Sequence, residues 1–387
     1  MKITHEKACH CALNRIFGFE PKISLALISH FGNASEVFRL RPEEADMLLG
    51  PHSKYKGAIS TKAVDLAYQE LERLASRGIH FIGWNEDGYP GQLKECEDPP
   101  TGLYIRSNTP EGLWNRRMIS VVGTRDLSPY GMEWCGKLIS ALAEIPEKDR
   151  PVIVSGLALG TDICAHKKAL SCGLSTIAVM ATGPEEVYPG RHRYFAEEIA
   201  SSAGSALVTD YPPGTAPLAI HFLRRNRIIA GLSEATVLIE SKIKGGGMMT
   251  ARLADSYNRT VFALPGRVDD IRSQGCNLLI RNRTAIPLTS IDDTLKELGV
   301  RRISRKSDSS DTTRLETLYS GAVSQDRIAA MGKILLVIRR RRGISVEEIS
   351  AETGMDYCMI NQLIGMLETD GIISRDLLQR CFINFDR

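Results

Sequence analysis

The sequence predicts an α/β protein: a Rossmann-like, doubly wound, mostly parallel sheet with an N-terminal helical module and a C-terminal winged helix. Three observations predict it. From about residue 79 to 300, short apolar, β-branched runs alternate with helical stretches, the pattern of βαβ units. Those runs are continuously apolar, as in strands buried on both faces. The end of the chain reads helix, helix, helix, then a short strand pair, the winged-helix layout.

Residues 1–76 read as short helices. KISLALISHF and EEADMLLG carry apolar residues at helical spacing, and TKAVDLAYQELERLASRG extends it with Val64, Leu66, Leu71 and Leu74 before a stop at Gly78. A SAM-like or helix-hairpin-helix module fits this stretch. A DNA-binding hairpin needs glycines that let phosphates approach, and Glu20 stands where the second would be. Packing or partner docking is therefore the preferred reading.

Residues 77–300 form the extended Rossmann-like domain. Its expected strands are HFIGW, GLYIR, MISVVG, PVIVSG, TIAVMA, ALVTD, ATVLIE, TVFALPG and TAIPL. MEWCGKLISALAEI, DICAHKKAL and RYFAEEIASS are helices between them. Residues 301–327 are polar and rich in Ser and Thr, a linker by composition. Residues 328–387 form the winged helix, in which Ser345 and Glu348 make a capping box. Its third helix, DYCMINQLIGMLE, holds no Lys or Arg and two acids, so protein docking is preferred to duplex reading.

Composition excludes several classes. With 387 residues, 43% hydrophobic and 25% charged, the chain is no disordered polymer, and a net charge of +3 excludes a histone-like polycation. No apolar run approaches the ~18 residues of a membrane span, and no secretory signal is visible, so a cytoplasmic location is expected. The nine cysteines are a poor disulfide framework, and Cys9-His10-Cys11 lacks a second ligand pair. No metal or cofactor is expected.

Four glycine-containing loops fall at strand carboxyl ends: Val121-Val122-Gly123-Thr124-Arg125, Ser155–Asp162 with Gly156 and Gly160, Tyr211–Gly214, and Lys242–Thr250 with Lys244, Gly246 and Gly247. Backbone N–H groups and helix N-termini on one sheet edge suit phosphate. None of the loops is a dinucleotide fingerprint or a P-loop. Between His221 and Arg283 eleven Lys and Arg face five acids, net +6, so the rest of the chain carries −3. The densest part is Phe222-Leu223-Arg224-Arg225-Asn226-Arg227. So many anion sites suggest a polyanion, with Phe222, Tyr188, Tyr211 and the arginines as stacking partners. Asp162 and His166 share a helix face, but no nucleophile, base and orienter assemble, so no enzyme is expected.

The run VVGTRDLSPYG, SGLALGTDICAH, TIAVMATGPEEVYPGRHRYF, TDYPPGTAP, FLRRNRIIAGLS, GGGMMTARLA, VFALPGRVDD and SQGCNLLIRNRTA resembles, in order, the bacterial DNA-processing protein A (Smf/DprA) family. The resemblance covers about 120–292, with weaker matches on both sides. It implies a dimeric single-stranded DNA-binding protein that protects incoming DNA in natural transformation. It also implies loading of a RecA-type recombinase onto DNA coated with single-strand-binding protein, and no enzymatic activity. Carried over, Arg125 is the DNA-contacting arginine. The Ser155-Gly156 and Lys244 loops wall the pocket, and Asn226 and Arg227 border it. The expected DNA-binding set is Gly123, Thr124, Arg125, Ser155, Gly156, Gly160, Arg224, Asn226, Arg227, Lys242, Lys244, Gly246, Gly247 and Thr250. Leu159 stands where the family usually has arginine, so either weaker binding or a replacement cation such as Lys242 is expected. Gly246-Gly247-Met248-Met249-Thr250 departs from the family's Ser-Gly-Ser/Thr and costs a hydroxyl. The alternative is a phosphoribohydrolase-type nucleotide enzyme, for which Asp255 is the only acid near the catalytic position.

Overall fold

Each of the nine apolar runs forms a strand of one sheet: β1 Ile79–Gly83, β2 Gly102–Arg106, β3 Met118–Val122, β4 Val152–Ser155, β5 Thr176–Val179, β6 Ala206–Thr209, β7 Ala235–Leu238, β8 Thr260–Ala263 and β9 Ile286–Pro287. These belong to a computed structural model that describes residues 3–50, 52–55, 57–300, 315, 316, 318, 319, 323–341 and 343–383. The sheet order is β1-β2-β6-β5-β4-β3-β7-β8-β9. From β6 to β9 every pairing is parallel, while β1 and β2 join antiparallel at one edge.

Side chains alternate across the sheet because successive Cβ atoms point to opposite faces. Met118, Val122, Val152 and Val154 enter one core; Ile119, Val121, Ile153 and Val237 enter the other. This two-sided burial is why the strands read as unbroken apolar runs. Ser120 on β3 and Thr236 on β7 are buried together and satisfy each other at 2.7 Å.

Strand order reverses direction about β3. The chain leaves β3 toward β4 on one side, while β7 and β8 lie on the other. Loops after β3, β4 and β7 therefore diverge at the carboxyl ends of adjacent strands and leave a crevice.

The N-terminal helices do not stand apart. Leu13, Phe17, Val64, Leu71 and Leu74 share a core with Ile79, Phe81 and Tyr104 of β1 and β2. Asn14 donates to the Asp210 carbonyl at 2.7 Å. Leu66, expected on the apolar stripe, is 54% exposed; Ala67 takes the inward position instead. Helix His5–Phe17 is buried nearly all round, its polar Lys7, His10 and Asn14 included, so its polar positions do not mark a solvent face.

The chain divides into two units, Met1–Arg302 and Ile303–Arg387. In the second, helices Gln325–Arg340, Val346–Thr353 and Tyr357–Thr369 precede an antiparallel pair, β10 Ile373–Arg375 and β11 Cys381–Ile383. The Ser345–Glu348 capping box forms as expected. Most of the expected linker lies outside the described residues, but Leu315 and Tyr319 within it are buried in this unit's core. All nine cysteines are free.

Candidate functional site

The crevice at the strand reversal is an open cleft of about 490 Å³. Gly123, Thr124 and Arg125 line it from the loop after β3, Ala158, Leu159 and Asp162 from the segment after β4, and Ser241, Lys242, Gly245, Gly246, Gly247 and Thr250 from that after β7. Helix Ala219–Leu232 closes it with Phe222, Leu223, Arg225 and Asn226. Tyr188 completes the rim.

Two features hold the loops in place. The Glu240 carboxylate, after β7, accepts from the Ser128 backbone N–H at 2.9 Å and from its hydroxyl. That ties the Arg125 loop to the neighbouring strand. The second feature is close backbone approach. At Gly160, with φ +73°, a Cβ would run into the Thr124 carbonyl oxygen and the Arg125 backbone. Thr161 then donates its N–H to the Thr124 oxygen at 3.0 Å.

The surface so built favours anions. Among the described residues the lining cations are Arg125, Arg225 and Lys242, and the one lining carboxylate is that of Asp162. Arg125 and Lys242 are exposed. The Arg125 guanidinium lies over the Phe222 ring at 5.2 Å, and Tyr188 meets that ring edge-on at 5.5 Å. Helix Gly246–Ser256 opens into the cleft with no side-chain cap, leaving first-turn N–H groups and the positive dipole end toward it.

The floor is closed by a buried pair. Arg225 donates to the Gly156 carbonyl at 2.6 Å and to the Val179 carbonyl, at the ends of β4 and β5. Asp162 accepts from the Ala158 N–H at 3.3 Å. Burial raises the Asp162 carboxyl above the ordinary carboxylate range, against the pull of Arg225. Burial likewise lowers the Arg225 guanidinium.

Of the fourteen residues expected to bind DNA, the cleft gathers Gly123, Thr124, Arg125, Asn226, Lys242, Gly246, Gly247 and Thr250. The other six are placed elsewhere. Ser155 is fully buried and donates to the Val121 carbonyl at 2.6 Å. Gly156 packs against Arg225 and Asp162 beneath the floor, and Gly160 supports the Arg125 loop from behind. Lys244 is exposed but outside the lining. Arg227 is buried on Asp210 at 2.5 Å, and Arg224 turns to the N-terminal module. Leu159 lines the wall, and Lys242 faces the cleft as the cation expected to replace an arginine there. Thr250 supplies a hydroxyl-bearing side chain on the altered loop. Tyr211, a candidate stacking group, is buried with its hydroxyl donating to the His221 carbonyl at 3.2 Å. Sequence reading missed Arg225 and Glu240 as builders of the site, because their partners are remote in sequence.

The alternative enzyme reading fares differently. Asp255 lines a separate depression with Arg259 and Val261 and is not among the cleft residues. His166 is buried with Nδ1 on the Thr176 hydroxyl at 2.8 Å, and burial lowers it to about 3. Among the described residues, no cluster of His, Cys, Asp and Glu suits a metal ion, and no helix is long and apolar enough to cross a membrane.

Comparison with known proteins places these features in context. The family profile described as DNA recombination-mediator protein A matches residues 80–299. A Protein Smf from Synechocystis is 30% identical over 96% of this chain and 97% of its own. A DNA processing protein DprA from Bacillus subtilis is 34% identical over 64% and 82% of the two chains. Among solved structures, DNA processing protein A from Streptococcus pneumoniae superposes with a TM-score of 0.63 at 29% identity, covering 77% of this chain and 99% of that one. DNA processing protein A from Helicobacter pylori, described for its single-stranded DNA binding mode, superposes with a TM-score of 0.50 at 30% identity, covering 57% and 95%.

Proposed function

The chain belongs to the DNA recombination-mediator protein A family, and on that premise we propose that its cleft holds unpaired DNA and that it acts as a binding mediator of recombination, not as an enzyme. The observation that carries this reading is the gathering, in one cleft, of the exposed cations Arg125 and Lys242 with the exposed Tyr188 and the half-buried Phe222. Arg125 and Lys242 meet the backbone, and Phe222 and Tyr188 offer faces to splayed bases. A duplex hides its base faces, so only a single strand uses both walls.

In this reading the protein processes DNA taken up in natural transformation. It covers the incoming strand and passes it to a RecA-type recombinase, displacing single-strand-binding protein, and it works in the cytoplasm as a homodimer. The domain boundaries read from the sequence are proposed as its working parts, with the cleft in the central one.

Titrating labelled oligo-dT and a matched duplex into the full-length protein tests the reading. The oligo-dT should bind about tenfold tighter or better, and its affinity should fall linearly on a log-log salt plot. Equal affinity for the duplex would overturn the proposal. Release of free base from nucleoside monophosphates would favour the phosphoribohydrolase alternative.

A further inference from the structure

The Arg125–Phe222 pair has a counterpart outside the cleft. Arg224 lies over the ring of Phe19, 4.5 Å from guanidinium carbon to centroid, and its Nη1 donates to the Phe19 carbonyl oxygen at 2.7 Å. Phe19 sits in the turn between helices His5–Phe17 and Pro21–Phe31 and is 46% exposed. A clamp serving only to fasten the module would gain most by burying both partners. Here Phe19 stays exposed and Arg224 is only half-buried.

The two Arg-over-Phe pairs are linked along one helix. Phe222, Leu223 and Arg224 are consecutive, each turned by about 100° from the last. Phe222 and Leu223 line the cleft, and Leu223 is 41% exposed. The surface therefore leads from the cleft wall over Leu223 to Arg224. The Glu20 carboxylate opposes a polyanion there, but it is engaged by the Tyr55 hydroxyl at 2.5 Å and by Lys54 at 3.2 Å. Those contacts, with Arg224 nearby, hold it below the ordinary carboxylate range.

We propose that the N-terminal module supplies a second stacking station for the same unpaired strand: Arg224, backed by Phe19, takes a nucleobase beyond the nucleotide held at Arg125. This rests on the reading of the cleft as a single-strand site. A guanidinium offers a planar face to a base while its ring partner fixes the plane. The module's hairpin thus meets bases through a side chain of the sheet domain, not phosphates through its own backbone.

The test compares two oligo-dT lengths, about six and about twenty nucleotides, on full-length protein. Phe19→Ala and Arg224→Ala should weaken the long oligonucleotide by about fivefold or more and leave the short one within about twofold. Arg224→Lys, which keeps the charge and loses the plane, should behave like Arg224→Ala. Arg125→Ala should weaken both lengths. If Arg125→Ala weakens both while the Phe19 and Arg224 variants bind the long strand like wild type, the second station is wrong and the cleft reading stands. Equal losses for short and long strands in the Arg224 variants, or full binding by Arg224→Lys, would also overturn it. If Arg125→Ala changes nothing, the cleft reading itself fails.

Discussion

Arg227→Met is expected to cost about 3–5 kcal/mol of folding stability, because it strands a buried carboxylate. The Arg227 and Asp210 side chains are only 8% and 4% exposed, with Nη2 to Oδ2 at 2.5 Å. Arg227 Nη1 also donates to the Asp98 carbonyl at 2.5 Å. Methionine fills similar space and satisfies neither acceptor. The loss should depend on pH in a definite direction. Burial already holds the Asp210 carboxyl above its usual value, even with Arg227 beside it. A carboxyl raised in the folded state binds its proton more tightly there than in the unfolded chain. The stability it contributes in acid is therefore lost as pH rises through the folded value. Removing Arg227 raises that value further, so the deficit of the variant should shrink in acid and widen toward neutral pH. Denaturant unfolding at several pH values reads this directly, and a deficit constant with pH would contradict it.

Gly160→Ala should break binding more than folding. The φ of +73° strains any side chain, at about 1–3 kcal/mol. The added Cβ also meets the Thr124 oxygen and the Arg125 backbone, so the loop that aims Arg125 must move. Losing one charge-assisted phosphate contact of about 1.5–3 kcal/mol means a loss of about tenfold or more in single-strand affinity. Gly173→Ala is the control. It has φ +69° with no atom within 4 Å of the added Cβ, so it carries strain without displacement. It should lower thermal stability modestly and leave the titration unchanged. Equal binding losses in both variants would show that strain, not loop position, is what matters.

These two positions show what a sequence can disclose. Gly160 was legible as part of a turn at a strand end, and so was the sheet edge it belongs to, because buried strands leave unbroken apolar runs. The antiparallel β1–β2 edge was not, since strand direction depends on the connection and not on the run. Which arginine of 224–227 meets solvent was also hidden. Arg227 is neutralised by Asp210, 17 residues away, and bonds Asp98, 129 residues away. Arg225 is held by the Gly156 and Val179 carbonyls, and Arg224 turns away from the cleft toward a turn 205 residues earlier. A local count of positive charge therefore points to the right region but overstates what the cleft presents. Arg125, with no acid bonded to it among the described residues, stays available.

The central claim is that Arg125 and Lys242 form an exposed cationic wall for an unpaired backbone. Titrating oligo-dT against wild type, Arg125→Ala and Lys242→Ala over a range of salt concentrations tests it most directly. Each variant should bind more weakly at low salt and shallow the log-log slope by about 0.7 per lost phosphate contact. Wild-type affinity and an unchanged slope in both variants would contradict the account.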